Sequence, residues 1–335
     1  MSEPGAVVVL APNWLGDAVM ALPAFADLRR HFADRRLVVA ARPAVSSLFT
    51  LVPGVDATVG TDVASVRAVR ASVAVLFPNS YASARVVRRA GVPERWGYSA
   101  DLRRLLLTKA IRRPGQPMHQ SEYYQHLVRA LGIDNGPREA ALAISAEAVD
   151  EARRLLVAHG WDAHSALVVL APGAAYGKAK QWIPTHVVRL ITRLARDRQM
   201  TCALVGSRGD AAAIRAIRSA APADYHGRVL DLAGLTTLPV LAAIMSVARA
   251  CVSNDSGAMH LAAAAGAPTV AVFGPTNERA TSPLARQDVP IEIVTHPVWC
   301  RPCMLRECPI DHRCMTGIEP AHVLAAIDRI ARAVA

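Results

Sequence analysis

Short apolar runs alternate with amphipathic stretches along this chain. Ala6 to Leu10, Leu37 to Ala41, Val55 to Val59 and Val73 to Phe77 are rich in Val, Leu and Ala and bounded by polar or turn residues. Runs of that length without polar alternation read as strands buried on both faces. After the loop Ala11 to Asp17, Val19, Leu22, Pro23, Phe25, Ala26 and Leu28 suit a helix ending near His31, and Ala44 to Leu51 suits a short one. Helical runs also follow the later strands. The rhythm restarts with a helix over Ala146 to His159, with Ser145 as N-cap and Gly160 as stop signal. Strands at Ala166 to Leu170, Thr201 to Val205, Val229 to Asp231, Cys251 to Ser253 and Thr269 to Phe273 then alternate with helices at Thr185 to Asp197, Gly209 to Ala220 and Leu238 to Ala248. A last helix runs from Pro320 to Val334. Such alternation makes a parallel sheet covered by helices. Each half opens with an apolar strand and a loop holding Pro and Gly: Leu10-Ala11-Pro12 to Gly16-Asp17, and Leu170-Ala171-Pro172-Gly173. The expectation is α/β, two doubly wound domains facing a central cleft, with ligands at the carboxyl ends of the strands. The domains are placed at 1–150 and 151–318, with a C-terminal helix in 319–335 free to pack back on the first.

Composition narrows the class. The 335 residues accommodate two domains, and 52% hydrophobic against 19% charged residues excludes a disordered chain. A net charge of +11 calls for an acidic partner: nucleic acid, an anionic membrane surface or a phosphorylated substrate. The N-terminus has no basic leader and its apolar run is too short for a signal core, so a cytoplasmic location is expected. Ser256 to Thr276 contains no Lys, Arg, Asp or Glu, but Gly266, Pro268, Gly274 and Pro275 cut it into a short helix and a strand rather than a membrane span. The six cysteines are then expected as thiols. Cys202 and Cys251 read as small core residues. Cys300, Cys303, Cys308 and Cys314 lie close enough in sequence for a structural zinc site, although their spacing matches neither usual paired pattern. No ligand set for a catalytic metal is visible.

The densest chemistry lies at Val252-Ser253-Asn254-Asp255-Ser256-Gly257-Ala258-Met259-His260, where a strand gives way to a helix. Backbone N–H groups at a helix start lack partners and sit at the positive end of the dipole, a good place for phosphate. The next strand ends in Phe273-Gly274-Pro275-Thr276. Two such strand ends read either as the floor of a nucleotide-diphosphate site or as an ordinary crossover whose Ser and Gly cap the helix.

These segments, with Pro12-Asn13-Trp14-Leu15-Gly16-Asp17, Pro172-Gly173-Ala174, Lys180-Gln181-Trp182 and the tail from Cys300 to Cys314, together resemble the lipopolysaccharide heptosyltransferases, most of all their type II members, within the inverting GT-B glycosyltransferases. The resemblance spans nearly the whole chain. It implies transfer of heptose from ADP-heptose to a hydroxyl of the anionic lipopolysaccharide inner core, with inversion and with no metal or other cofactor required. It implies Asp17 as general base, where the residue alone would also suit a helix cap, and Lys180 as the charge facing the leaving diphosphate. Lys178 is a second candidate, and Ile183 between Trp182 and Pro184 departs from the family's spacing. Asn13 and Gly16 would bind substrate; Ser256 and Gly257 would offer N–H groups to phosphate; Asp255 would accept from sugar hydroxyls; Thr276 would bond phosphate or sugar. His260 is either a donor contact or a buried core histidine. Ser207 and Asp210 are loose candidates for the nucleoside.

Arg85, Arg88, Arg89, Arg95, Arg103, Arg104, Lys109, Arg112 and Arg113 crowd the first half, opposed only by Glu94 and Asp101. Arginine pairs with phosphates and carboxylates, so this stretch suits an anionic acceptor and peripheral association with the inner membrane, or is simply a solvated face. No nucleic-acid partner is expected on the leading reading. Its alternatives are a transferase with another nucleotide sugar or acceptor, a GT-B-fold nucleotide-sugar epimerase, and a non-enzymatic binding module built on the basic face and the cysteines.

Overall fold

A computed structural model describes residues 5–333. The chain divides into two compact units, Met1–Ala143 and Ile144–Ala335. Among the described residues of the first unit, six parallel strands form one sheet: β1 (Val7–Leu10), β2 (Leu37–Ala40), β3 (Ala57–Val59), β4 (Val73–Leu76), β5 (Glu94–Tyr98) and β6 (Lys109–Ile111), in the order β3-β2-β1-β4-β5-β6. The second unit repeats the arrangement with β7 (Leu167–Ala171), β8 (Thr201–Leu204), β9 (Val229–Asp231), β10 (Ala250–Asn254), β11 (Thr269–Phe273) and β12 (Ile291–Thr295), in the order β12-β11-β10-β7-β8-β9. Val7 of β1 stands opposite both Leu37 and Val73, and Cys251 of β10 opposite Val169 and Thr269.

The apolar runs explain the central strands. Every residue of β1, β2, β4, β7, β10 and β11 is buried, as helices on both faces require. In each unit the chain builds outward from its first strand in one direction, returns, and continues on that strand's other side. This reversal falls between β1 and β4 in one sheet and between β7 and β10 in the other. The loops leaving those strands diverge there, and the gap at the carboxyl edge is where doubly wound sheets receive ligands.

Two boundaries differ from the sequence reading. The division falls at 143/144 rather than 150/151, because helix Ala146–Ala158 packs on helix Leu238–Ser246 and so belongs to the second unit. Helix Pro320–Ala333 is not a separate segment. Its Val323, Ile327 and Ile330 sit in the second unit's core, against β11, β12 and helix Pro184–Arg198. Among the described residues no helix is long and apolar enough to cross a membrane.

Candidate functional site

In the second unit, β11, β10 and β7 are neighbours, so the loops that leave their carboxyl ends converge. Asp255 follows β10 and is 5% exposed. Its Oδ2 accepts from Lys180 Nζ at 2.6 Å, out of the β7 loop, and from Thr276 Oγ1 at 2.5 Å, just after β11. Lys180 is therefore no solvated surface lysine: its side chain is 13% exposed and its ammonium lies 4.6 Å from the centre of the Tyr176 ring. Lys178 stays exposed on the same loop.

Asn254 fixes that loop. Its Nδ2 donates to Pro172 O at 2.6 Å, and its Oδ1 accepts from Trp182 N at 3.1 Å. One buried side chain thus holds both ends of the segment that carries Lys180. Ser256 caps helix Gly257–Ala264, accepting from Ala258 N at 3.3 Å, and contacts Ser253 Oγ at 3.1 Å. The cap and the phosphate-site readings are compatible here, since Ser256 and Gly257 open the helix beside the Asp255 carboxylate. His260 is buried, one turn into this helix. Ser207 and Asp210 close their own turn instead of projecting as a nucleoside pair: Ser207 N and Oγ both donate to Asp210 Oδ2, at 2.8 and 2.7 Å. A Cβ at Gly173 would come within 2.7 Å of the same carboxylate, so a side chain there would displace Asp210.

The tail braces these loops. Arg301 donates to Gly274 O at 2.9 Å and Thr276 O at 3.2 Å, and pairs with Glu278 at 2.8 Å. Cys303 N and Met304 N both donate to Pro275 O at 2.9 Å. Tyr176 Oη donates to Met304 O at 2.8 Å, and Ala179 N to Arg306 O at 3.0 Å. The segment therefore ties the loop bearing Lys180 to the loop bearing Thr276. All six cysteines are thiols. Among the described residues no three His, Cys, Asp or Glu side chains come together as a metal site, Cys300, Cys303, Cys308 and Cys314 included. Cys314 is buried, which with the neighbouring thiols raises its pKa.

In the first unit, helix Leu15–Met20 follows β1, with Trp14 rather than Asp17 at its N-cap position. Asp17 lies inside the first turn, half-buried, and accepts from Tyr124 Oη at 3.5 Å. Tyr124 comes from helix Gln120–Ala130 and is buried against Phe77. Burial, and then the Asp17 charge, push its phenol well above the ordinary range, so it stays a donor at neutral pH. Asn13 is exposed and Gly16 half-buried on the same loop. Two of the basic residues grouped in the sequence are structural. Arg103 is fully buried, and burial pulls its pKa down to about 10; Arg95 donates to the carbonyls of Val92, Pro93 and Leu106.

Residues 63–313, more than half of the chain, match glycosyltransferase family 9 (heptosyltransferase). The chain belongs to this family. Two of its relatives, the lipopolysaccharide heptosyltransferase 2 of Salmonella typhimurium and that of Escherichia coli, are each 27% identical over 313 residues, covering 86% of this chain and 88% of theirs. The solved E. coli ADP-heptose lipopolysaccharide heptosyltransferase II superposes with a TM-score of 0.83 at 24% identity, over 98% of both chains. Membership of family 9 makes the chain a glycosyltransferase with the two-domain α/β fold of that group. The sequence pointed to the loops that carry Lys180, Asp255 and Thr276. Asn254, Tyr176 and Arg301 were not singled out, because their importance lies in contacts across the sheet order. The one signal for Asn254 is its place directly before Asp255 at the end of β10.

Proposed function

We propose that this family 9 enzyme transfers a heptose from ADP-heptose to the inner core of lipopolysaccharide, with inversion; the names of the relatives above support the heptose, the ADP-heptose donor and the lipopolysaccharide acceptor. The observation that carries this reading is the meeting of Lys180, Asp255 and Thr276 on three adjacent strand ends. A lysine held beside a helix start suits a diphosphate leaving group, and a buried carboxylate next to it suits sugar hydroxyls.

In the reaction, an acceptor hydroxyl oxygen bonds to the anomeric carbon as the bond from that carbon to the diphosphate oxygen breaks. Asp17 takes the hydroxyl proton, with Tyr124 orienting its carboxylate. The ADP departs with its new charge facing Lys180 and the N–H groups at Ser256 and Gly257. These groups supply the charge compensation, so the proposed chemistry requires no metal. The acceptor is a membrane glycolipid, which sets the work at the cytoplasmic surface of the inner membrane, with the protein associating peripherally.

The test is transfer measured with ADP-heptose and a heptose-bearing core acceptor, alongside UDP- and GDP-sugars. Transfer is expected from the ADP sugar alone, and Asp17→Asn should reduce kcat by about 10²–10⁴ while leaving the donor affinity near that of the unaltered protein. Turnover by Asp17→Asn at the unaltered rate removes Asp17 from the role of base.

A further inference from the structure

β5 ends at Tyr98, and the chain passes through a short loop into a tight turn at Arg104–Leu106. In that loop Leu102 is 96% exposed and Leu105 is 88% exposed. Single exposed apolar residues are ordinary, but here the pair is held outward by its own scaffold. Arg103, between them, is fully buried and donates to Tyr98 O at 2.9 Å, Ser83 Oγ at 3.0 Å, Ser80 O at 3.3 Å and Pro78 O. Asp101 and Leu102 adopt left-handed backbone, with φ of 51° and 56°. Such a conformation is costly for a leucine and persists only where the surroundings impose it. Asp101 Oδ2 accepts from Tyr81 N at 2.6 Å, which joins the loop to the start of helix Tyr81–Arg89.

Basic residues are exposed on the adjoining helix and in the loop itself. Tyr81, Arg85 and Arg88 follow one another at helical spacing and are all exposed, and Arg104 is exposed between the two leucines. The nearby carboxylates are engaged elsewhere: Asp101 at the helix start, and Glu94 with Trp96 Nε1 and Thr108 Oγ1.

We propose that Leu102 and Leu105 are a docking tip for an anionic lipid bilayer. The leucines enter the boundary between headgroups and acyl chains, and Arg85, Arg88 and Arg104 face the lipid phosphates. Exposed apolar side chains accompanied by exposed cations match that boundary, where burial and attraction to anionic lipid add together. An uncharged apolar groove would take the leucines but leave the arginines without counter-charges. The loop leaves the carboxyl edge of the first sheet, which also carries Asp17, because β1 and β5 run in the same direction. The inference rests on the membrane-bound acceptor of the proposed reaction, yet its test involves no sugar transfer, so the two can fail separately.

The experiment is co-sedimentation of the full chain with vesicles of phosphatidylcholine, with and without phosphatidylglycerol. Binding is expected on the phosphatidylglycerol vesicles and should weaken as salt is added. Leu102→Asp with Leu105→Asp should lower partitioning by roughly tenfold per leucine, with circular dichroism unchanged. Arg85→Gln with Arg88→Gln should lower it roughly fivefold per charge on the anionic vesicles only. The proposal is overturned if the unaltered protein stays in the supernatant, or if the leucine variant binds as well as it does. It is also overturned if the unaltered chain is a dimer in solution that the leucine variant splits, since the leucines then form a contact between copies.

Discussion

Lys180 and Asp255 show how far a single pair can shape a site. Both are largely withdrawn from water, so removing either leaves its partner as an uncompensated charge. Breaking such a pair from one side costs about 3–5 kcal/mol, far more than an exposed pair. Lys180→Met and Asp255→Asn should each lower the free energy of unfolding by about 3 kcal/mol, and the double variant by clearly less than the sum. Urea unfolding of the three variants checks this; simple additivity would mean that the two charges do not hold each other in solution. The sequence named both residues, but not their contact. Lys180 and Asp255 are far apart in the chain, and only the adjacency of β7 and β10 brings them to 2.6 Å. Asn254 was hidden for the same reason: its two partners, Pro172 O and Trp182 N, belong to a loop on the neighbouring strand.

At the scale of elements, burial made the central strands legible, while the edge strand β3 was readable from its short apolar run alone. The continuous apolar runs of β1, β2, β4, β7, β10 and β11 were readable because both faces of those strands are covered. β5, with Glu94, Arg95 and Gly97, offered no such run, and β6 and β12 are edge strands whose residues are mostly half-exposed or exposed. The bracing tail was the least legible element. It has little regular secondary structure, and its order comes from hydrogen bonds to the Gly274–Thr276 and Tyr176–Lys180 loops, which no local pattern announces. Arg301 is its main anchor. Arg301→Ala leaves two backbone carbonyls and Glu278 without their donor, an expected cost of about 1–3 kcal/mol. In the proposed reaction it should also raise the KM for donor more than it lowers kcat. Calorimetry with steady-state kinetics separates the two effects, and an unaltered melting temperature would show that the brace carries no weight.

Across the whole molecule, the paired sheets bury groups that must keep their protons. Burial pushes the Cys202 thiol from 9.0 up to about 12, and raises Cys251, Tyr98 and Tyr124 as well. The unfolded chain gives up these protons first, the thiols near 9.0 and the phenols near 10.0, while the folded chain retains them. The stability they contribute is therefore complete below pH 9.0 and declines as pH rises toward the folded values. Each group adds a slope of about 1.4 kcal/mol per pH unit within its window. Urea unfolding across alkaline pH should show this decline, and Cys202→Ala should flatten it between pH 9.0 and about 12. An identical slope in that variant would mean that the thiol does not titrate on unfolding.

The resting Lys180–Asp255 bond has a consequence for selectivity in the proposed reaction. A small anion that draws the lysine away strands the aspartate and offers it nothing in return. A nucleotide sugar brings phosphate for one partner and hydroxyls for the other in the same molecule. Inorganic phosphate and pyrophosphate should then be poor competitors despite their charge, because admission depends on satisfying both halves of a broken bond at once.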